Sequence, residues 1–184
     1  MNATKVSRSD ILLAIIAAAN GKELSRGHLQ KVAFLVSEEF KGRLPADFYT
    51  FDKHKYGPFC IDIYNDTDML LYWECIQTRL SADRSSEKYS IAKRINIDGF
   101  QLDEDIKRFI KNTVAWVADM SFGELVRAVY RLYPEFLERS TFEFDKEQAI
   151  HESFERSLKQ LRDGKTTLAE DFMEELHEAA RANE

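Results

Sequence analysis

The stretch of residues 49–59 constrains the fold more than any other part of the sequence. It is rich in aromatic residues, it ends in Gly57-Pro58-Phe59, and it separates two segments with helical periodicity. Gly57 permits unusual backbone angles, and Pro58 suits the first position of a helix because its missing N–H would be unpaired there. We therefore predict a structural junction with Tyr56 and Phe59 buried, followed by a helix over residues 58–73.

Two helices are predicted ahead of this junction. Residues 10–20, which Ser9 is placed to cap, carry apolar side chains nearly all round, as in a helix that is buried on more than one side. Ser25 is a suitable N-cap for a second helix over residues 26–41. Its apolar positions fall on one face. They are Leu29, Val32, Ala33, Val36 and Phe40.

Two segments after the junction, residues 76–80 and 88–93, alternate apolar and polar side chains as half-buried strands do. Further helices are predicted over residues 102–118 and 121–132, the second opened by a Ser121/Glu124 capping box. A helix pair followed by a helix and a hairpin is the order of a winged helix. The predicted fold class is mainly α, a helical bundle with a winged-helix-like element that contains one small two-stranded hairpin.

Composition divides the chain into a domain over residues 1–140 and a C-terminal amphipathic helical extension over residues 141–184. The extension carries a narrow apolar stripe and is acidic outside it, so packing on its own domain and docking on a partner both stay open. Ile150, Phe154, Leu158 and Leu161 form the stripe. The net charge is −6, yet residues 1–60 carry nine Lys/Arg and six Asp/Glu, a net charge of +3.

The sequence contains no catalytic, cofactor or metal motif. The four histidines are scattered without a metal-ligand spacing, no glycine-rich phosphate loop is present, and the acidic runs suit solvated helix faces. Cys60 and Cys75 are too few for a disulfide framework and predict free thiols in a reducing cytoplasm. The apolar run over residues 11–19 is too short to span a bilayer. We expect a cytoplasmic protein that is no enzyme, needs no cofactor or metal, and does not enter a membrane.

Two short motifs stand out in the first half of the chain. The segment over residues 29–35 contains an LQK motif with Gln30 and Lys31, and a Tyr-Gly-Pro motif follows about twenty residues later. Together they resemble the Panacea-type antitoxin family, which includes SocA-like and phage-associated proteins. Residues 70–76 match a later Leu…Gly-Ile element, with Cys75 where a glycine is usual. The resemblance covers about residues 10–140. It implies a mostly helical fold with a winged-helix character and a role in neutralising a toxin or in phage-related defence.

DNA binding is the function that a winged helix invites, but the helix after Pro58 is poorly suited to it. Residues 56–78 contain no Lys or Arg and four carboxylates, which phosphate groups repel. Cations that leave a nucleic-acid route open lie in the junction and the hairpin. They are Lys53, Lys55, Arg79, Arg84, Lys88, Lys93 and Arg94.

The acidic helix with its neighbouring aromatics suits a basic surface of a protein partner better. The partner-binding residues predicted on it are Asp62, Tyr64, Asp66, Asp68 and Tyr72. We expect a non-catalytic interaction protein that neutralises a cognate toxin, or regulates phage defence, by direct protein binding. The alternative is a DNA-binding winged-helix transcriptional regulator, and a homodimer is left open.

Overall fold

The computed structural model describes residues 6–82, 86–92 and 97–140, which belong to two compact units. Of these residues, the first unit contains 6–52 and 58–119, and the second contains 53–57 and 120–140. The helices predicted within residues 141–184 lie outside the described part of the chain. The predicted domain boundary at residue 140 therefore stays a prediction.

The described elements are helices with a small amount of antiparallel sheet. The α-helices are α1 (Arg8–Ala18), α2 (Arg26–Glu39), α3 (Asp62–Tyr72), α4 (Glu104–Val117) and α5 (Phe122–Leu132). The strands are β1 (Leu24–Ser25), β2 (Asp52–His54), β3 (Gly57–Phe59), β4 (Ile76–Leu80) and β5 (Glu87–Ile91). Short 3-10 helices cover Ile97–Gly99 and Pro134–Arg139. The fold is mixed α and β, so the predicted description as mainly α is too simple.

The predicted hairpin is present as β4 and β5, and a third strand extends it. The strand order is β1-β5-β4, with both pairings antiparallel. Leu24 lies opposite Tyr89, and Tyr89 lies opposite Thr78. The sequence could not predict β1 because two residues are too few to show an alternating pattern.

The junction differs from its prediction. Gly57-Pro58-Phe59 forms β3, which pairs with β2, and α3 begins only at Asp62. Gly57 has φ +87° directly after the Lys55-Tyr56 turn, where a glycine bulge closes many hairpins. Pro58 therefore lies in an extended strand and not at a helix start. The predicted burial is also wrong for Tyr56, which is exposed, while Phe59 is half-buried.

Capping residues explain where the helices begin. Ser7, and not the predicted Ser9, caps α1, and its hydroxyl and backbone N–H form a capping box with Asp10. The Ser25 hydroxyl accepts from the His28 backbone N–H at the start of α2, as predicted. The predicted Ser121/Glu124 capping box opens α5.

Helix α1 is the centre of the first unit. It packs against α2, α3, α4 and β5, which explains why its apolar side chains occupy nearly all sides. Ile11, Leu12, Ile15 and Ile16 are almost fully buried. The predicted apolar face of α2 is buried throughout, and the Phe40 ring meets the Phe109 ring of α4 edge-on at 5.4 Å. This core holds α3 in a fixed position beside the sheet.

Candidate functional site

One side of α3 exposes large apolar side chains. Met69 and Tyr72 are 47% and 84% exposed, Ile61 and Trp73 at the two ends of the helix are 57% and 53% exposed, and Asn65 and Asp68 lie among them. Their spacings of three, four, seven and eight residues place them on one side of a helix. We call these six residues the outer face of α3. Side chains this large usually lie in a core, so their grouping on one exposed side needs an explanation.

The opposite side of α3 is anchored by a buried carboxylate. Asp66 accepts hydrogen bonds from Arg8 Nε at 2.9 Å, Arg8 Nη2 at 3.1 Å and Tyr49 Oη at 2.7 Å. Ser9 Oγ donates at 3.3 Å. The pKa of Tyr49 is raised far above its usual value, mainly because the side chain is buried and also because it is hydrogen-bonded to Asp66. Tyr49 therefore stays a donor, and Asp66 is a structural anchor.

The two other aspartates of α3 also have cationic partners. Arg8 Nη1 lies 3.0 Å from Asp62 Oδ2, and Arg26 Nη2 lies 3.1 Å from Asp68 Oδ1. The guanidinium of Arg26 also lies over the Tyr64 ring at 4.6 Å. Intramolecular pairs thus partly neutralise the acidic helix that the sequence indicated.

Arg26 belongs to a second polar cluster, which joins α2 to β5. Its Nε donates to Tyr89 Oη at 2.5 Å, and Tyr89 Oη donates to Glu87 Oε2 at 2.6 Å. The pKa of Tyr89 is raised to about 12, mainly because the side chain is buried and also because it is hydrogen-bonded to Glu87. These contacts hold α2, α3 and the hairpin together, and they use Nε and Nη2 of Arg26 within the protein.

The LQK motif and the Tyr-Gly-Pro motif contact each other directly. Gln30 Nε2 donates to the Cys60 carbonyl oxygen at 2.7 Å, and the Cys60 backbone N–H donates to Gln30 Oε1 at 2.9 Å. Lys31 Nζ donates to the Pro58 carbonyl oxygen at 2.8 Å. The two side chains therefore fix the backbone that leads into α3, which gives both motifs a structural role.

Helix α3 ends in a Schellman motif. The Cys75 backbone N–H donates to the Leu70 carbonyl at 3.0 Å and the Glu74 backbone N–H donates to the Leu71 carbonyl at 3.0 Å. Glu74 adopts the left-handed conformation that this motif requires, with φ +54°. The glycine-like position therefore falls on Glu74 and not on Cys75. This ending turns the chain from the exposed Tyr72 and Trp73 into β4.

Among the described residues, the cations predicted for nucleic-acid contact do not form a single basic surface. Lys53 Nζ lies 2.8 Å from Glu138 Oε2, and Lys55 Nζ lies 5.0 Å from the Tyr56 ring centre. Arg79 Nη2 lies 2.7 Å from Glu23 Oε2. Arg84, Lys93 and Arg94 lie outside the described residues.

Lys88 lines an open groove of about 740 Å³ on the outer side of the sheet. We call this the sheet groove. Its lining is mostly polar and includes residues on β4, on β5 and ahead of β1. Lys88 lies opposite Arg79 in the sheet register. Lys22 also lines the groove and is paired with Asp119 at 2.6 Å.

No three His, Cys, Asp or Glu side chains within residues 6–82, 86–92 and 97–140 form a group that could hold a metal ion. None of the described helices is long and apolar enough to cross a membrane.

Comparison with known proteins gives no further assignment: no family model, no curated protein and no solved structure matches this chain.

Sequence reasoning missed part of this site. Ile61, Met69 and Trp73 were not among the predicted partner-binding residues, although their helical spacing relative to Tyr72 was visible. The pairing of Arg8 and Arg26 with α3 was not visible, because 54 and 42 residues separate these arginines from Asp62 and Asp68. Of the predicted residues, only Tyr72 and Asp68 lie on the outer face of α3.

Proposed function

We propose that this protein is a non-catalytic interaction protein that binds a partner protein through the outer face of α3. The exposed apolar side chains of that face carry the proposal. Tyr and Trp are enriched among the residues that dominate protein-binding energies, and a polar rim around them is typical of an interface. Asn65 and Asp68 provide polar groups within the face.

We further propose that the first unit is a winged-helix variant. The element order α1-β1-α2-α3-β4-β5 and the strand order β1-β5-β4 support this assignment. The short hairpin of β2 and β3 is inserted between α2 and α3. In that proposed arrangement α3 corresponds to the helix that reads the major groove in DNA-binding winged-helix proteins.

The chemistry of α3 favours protein over DNA. A helix in the major groove needs Arg, Lys, Asn or Gln at base edges and cations at phosphates. The outer face of α3 offers Asn65 alone from that set, together with the carboxylate of Asp68 and four large apolar side chains. Its exposed surface is therefore suited to another apolar surface.

The identity of the partner is proposed from the sequence motifs. The LQK and Tyr-Gly-Pro motifs resemble the Panacea-type antitoxins, and this resemblance points to a toxin or a phage-defence component as the partner. The described contacts give both motifs a structural role, so in this proposal they build the scaffold that presents α3. The protein acts stoichiometrically in the cytoplasm, without a cofactor.

A DNA-binding regulator is the second candidate, and the sheet groove is the observation that favours it. Lys88 and Arg79 are cross-strand neighbours there, and Lys22 lines the same groove. Glu23 and Asp119 line the same groove and pair with Arg79 and Lys22, which lowers its attraction for phosphates.

Co-expression with the product of the neighbouring reading frame tests the proposed function. We expect the two proteins to purify together at a fixed ratio and this protein to restore growth when the neighbour is toxic. Restored growth without a complex would refute the binding mechanism. A gel shift on its own promoter at moderate salt tests the alternative. Tight, specific binding that is lost on changing Arg79 and Lys88 would favour the regulator.

A further inference from the structure

One edge of strand β4, which we call the free edge, has no partner among the described strands. In the order β1-β5-β4, it pairs with β5 on one side, and no other described strand pairs with its second side. No bulge interrupts β4, because its register with β5 is constant from the pair Ile76 and Ile91 to the pair Leu80 and Glu87. It also contains no proline. Proteins commonly use bulges or prolines to protect such edges, and β4 has neither.

The hydrogen bonds at the two ends of the hairpin show which backbone groups face this edge. The Ser81 backbone N–H donates to the Ser86 carbonyl oxygen at 2.8 Å, and the Ala92 backbone N–H donates to the Cys75 carbonyl oxygen at 3.1 Å. Residues in hydrogen-bonded pairs alternate along an antiparallel strand. The odd-numbered residues of β4 therefore bond to β5, and the backbone groups of Ile76, Thr78 and Leu80 point to the free edge.

We propose that β4 pairs with β4 of a second copy of this chain, antiparallel about a two-fold axis at Thr78. This register uses all three outward-facing residues and forms about six backbone hydrogen bonds. Leu80, which is 55% exposed, then lies opposite Ile76 of the other copy. Self-association is separate from partner binding by the outer face of α3.

The side chains favour this register over its neighbours. It places Gln77 opposite Arg79 of the other copy, so that the amide oxygen can accept from the guanidinium. Moving the axis to Arg79 would place two arginines directly opposite, which is unfavourable. Moving it to Gln77 would place Leu80 opposite the charged Glu74. The chain is therefore self-complementary in one register.

Sedimentation velocity from about 5 to about 200 µM tests the proposal, since a small interface of this kind gives dissociation constants in the micromolar range. We expect the mass to rise from 21.4 kDa towards twice that value. Thr78→Pro removes an outward N–H without removing a backbone hydrogen bond to β5, and it should weaken association at least tenfold. Thr78→Val keeps the N–H and loses only the hydroxyl, which donates to the Lys88 carbonyl at 3.2 Å. It should associate like the wild type.

A cross-linking variant keeps the test decisive if Thr78→Pro fails to fold. Thr78→Cys in a Cys75→Ser background places two thiols on the axis, where Cα atoms about 5.5 Å apart suit a disulfide. We expect a covalent dimer on mild oxidation. Arg79→Cys in the same background should cross-link poorly, because the two residues are offset in this register. A monomer at all concentrations, or equal cross-linking at both positions, would overturn the proposal.

Discussion

Replacing Lys31 by methionine gives a quantitative test of the contact between the two motifs. Lys31 is 4% exposed, and its amine donates to the Pro58 carbonyl oxygen at 2.8 Å. Burial lowers the pKa of Lys31 to about 7, whereas an unfolded chain gives lysine a pKa of about 10.4. Between these values the unfolded chain binds a proton that the folded protein has released. Unfolding therefore takes up a proton, and stability rises with pH.

The magnitude follows from the two pKa values. The free energy of unfolding should rise with a limiting slope of about 1.4 kcal/mol per pH unit, which gives about 2 kcal/mol between pH 7 and pH 9. Below about pH 6 the contribution of Lys31 no longer changes, because the amine is then protonated in both states. Lys31→Met removes the titrating group, so its stability should lack this rise.

Urea unfolding followed by circular dichroism from pH 6 to pH 9 measures the effect. Gln30→Met is the matched control, because Gln30 is buried beside Lys31 and holds Cys60 but carries no titrating group. It should lose about 1–3 kcal/mol at every pH and keep the wild-type rise. Parallel pH profiles for the wild type and Lys31→Met would refute the assignment of a buried amine to Lys31.

Three further variants test the fold around α3, each by urea unfolding. Glu74→Gly should raise the free energy of unfolding by about 0.5–1 kcal/mol, since glycine adopts φ +54° without strain. A lower free energy of unfolding would contradict the Schellman ending. Asp66→Asn should lower the free energy of unfolding by about 2–4 kcal/mol, because Arg8 and Tyr49 lose a buried carboxylate. An unchanged free energy of unfolding would show that this anchor is dispensable. Gly57→Val should cost about 1–2 kcal/mol because of φ +87°; normal folding with loss of partner binding would make the motif a binding site.

Local signals in the sequence predict the helices well. The Ser25 cap, the Ser121/Glu124 capping box and the apolar face of α2 all depend on residues within one or two helical turns. The hairpin of β4 and β5 shows its alternation for the same reason. Such elements are predictable because the residues that define them are close in the chain.

The junction shows where local signals are insufficient. Pro58 fits a helix start and an edge strand equally well by sequence. The strand is favoured here because Gly57 turns the chain back onto β2 and because Lys31 holds the Pro58 carbonyl from α2. The second of these contacts joins residues 27 positions apart, and periodicity carries no information about it.

The acidic character of α3 is a case in which composition was misleading. Three carboxylates on one helix suggested an exposed acidic surface, yet Asp66 is buried and Asp62 and Asp68 are paired with Arg8 and Arg26. Four of the six residues on the outer face of α3 are large and apolar. The structure thus moves the basis of the proposed partner binding from charge to apolar contact.

The affinity of the partner for variants of the outer face of α3 tests the central proposal most directly. The measurement is a calorimetric titration of the co-purifying neighbour product into the wild type, into Tyr72→Ser/Trp73→Ser and into Phe122→Ser. Phe122 is an exposed aromatic residue on α5, outside the proposed face, and is therefore the matched control. We expect the double variant to bind at least tenfold more weakly and Phe122→Ser to bind like the wild type. Equal affinity for all three proteins, with the double variant folded, would contradict the proposal that α3 is the binding surface.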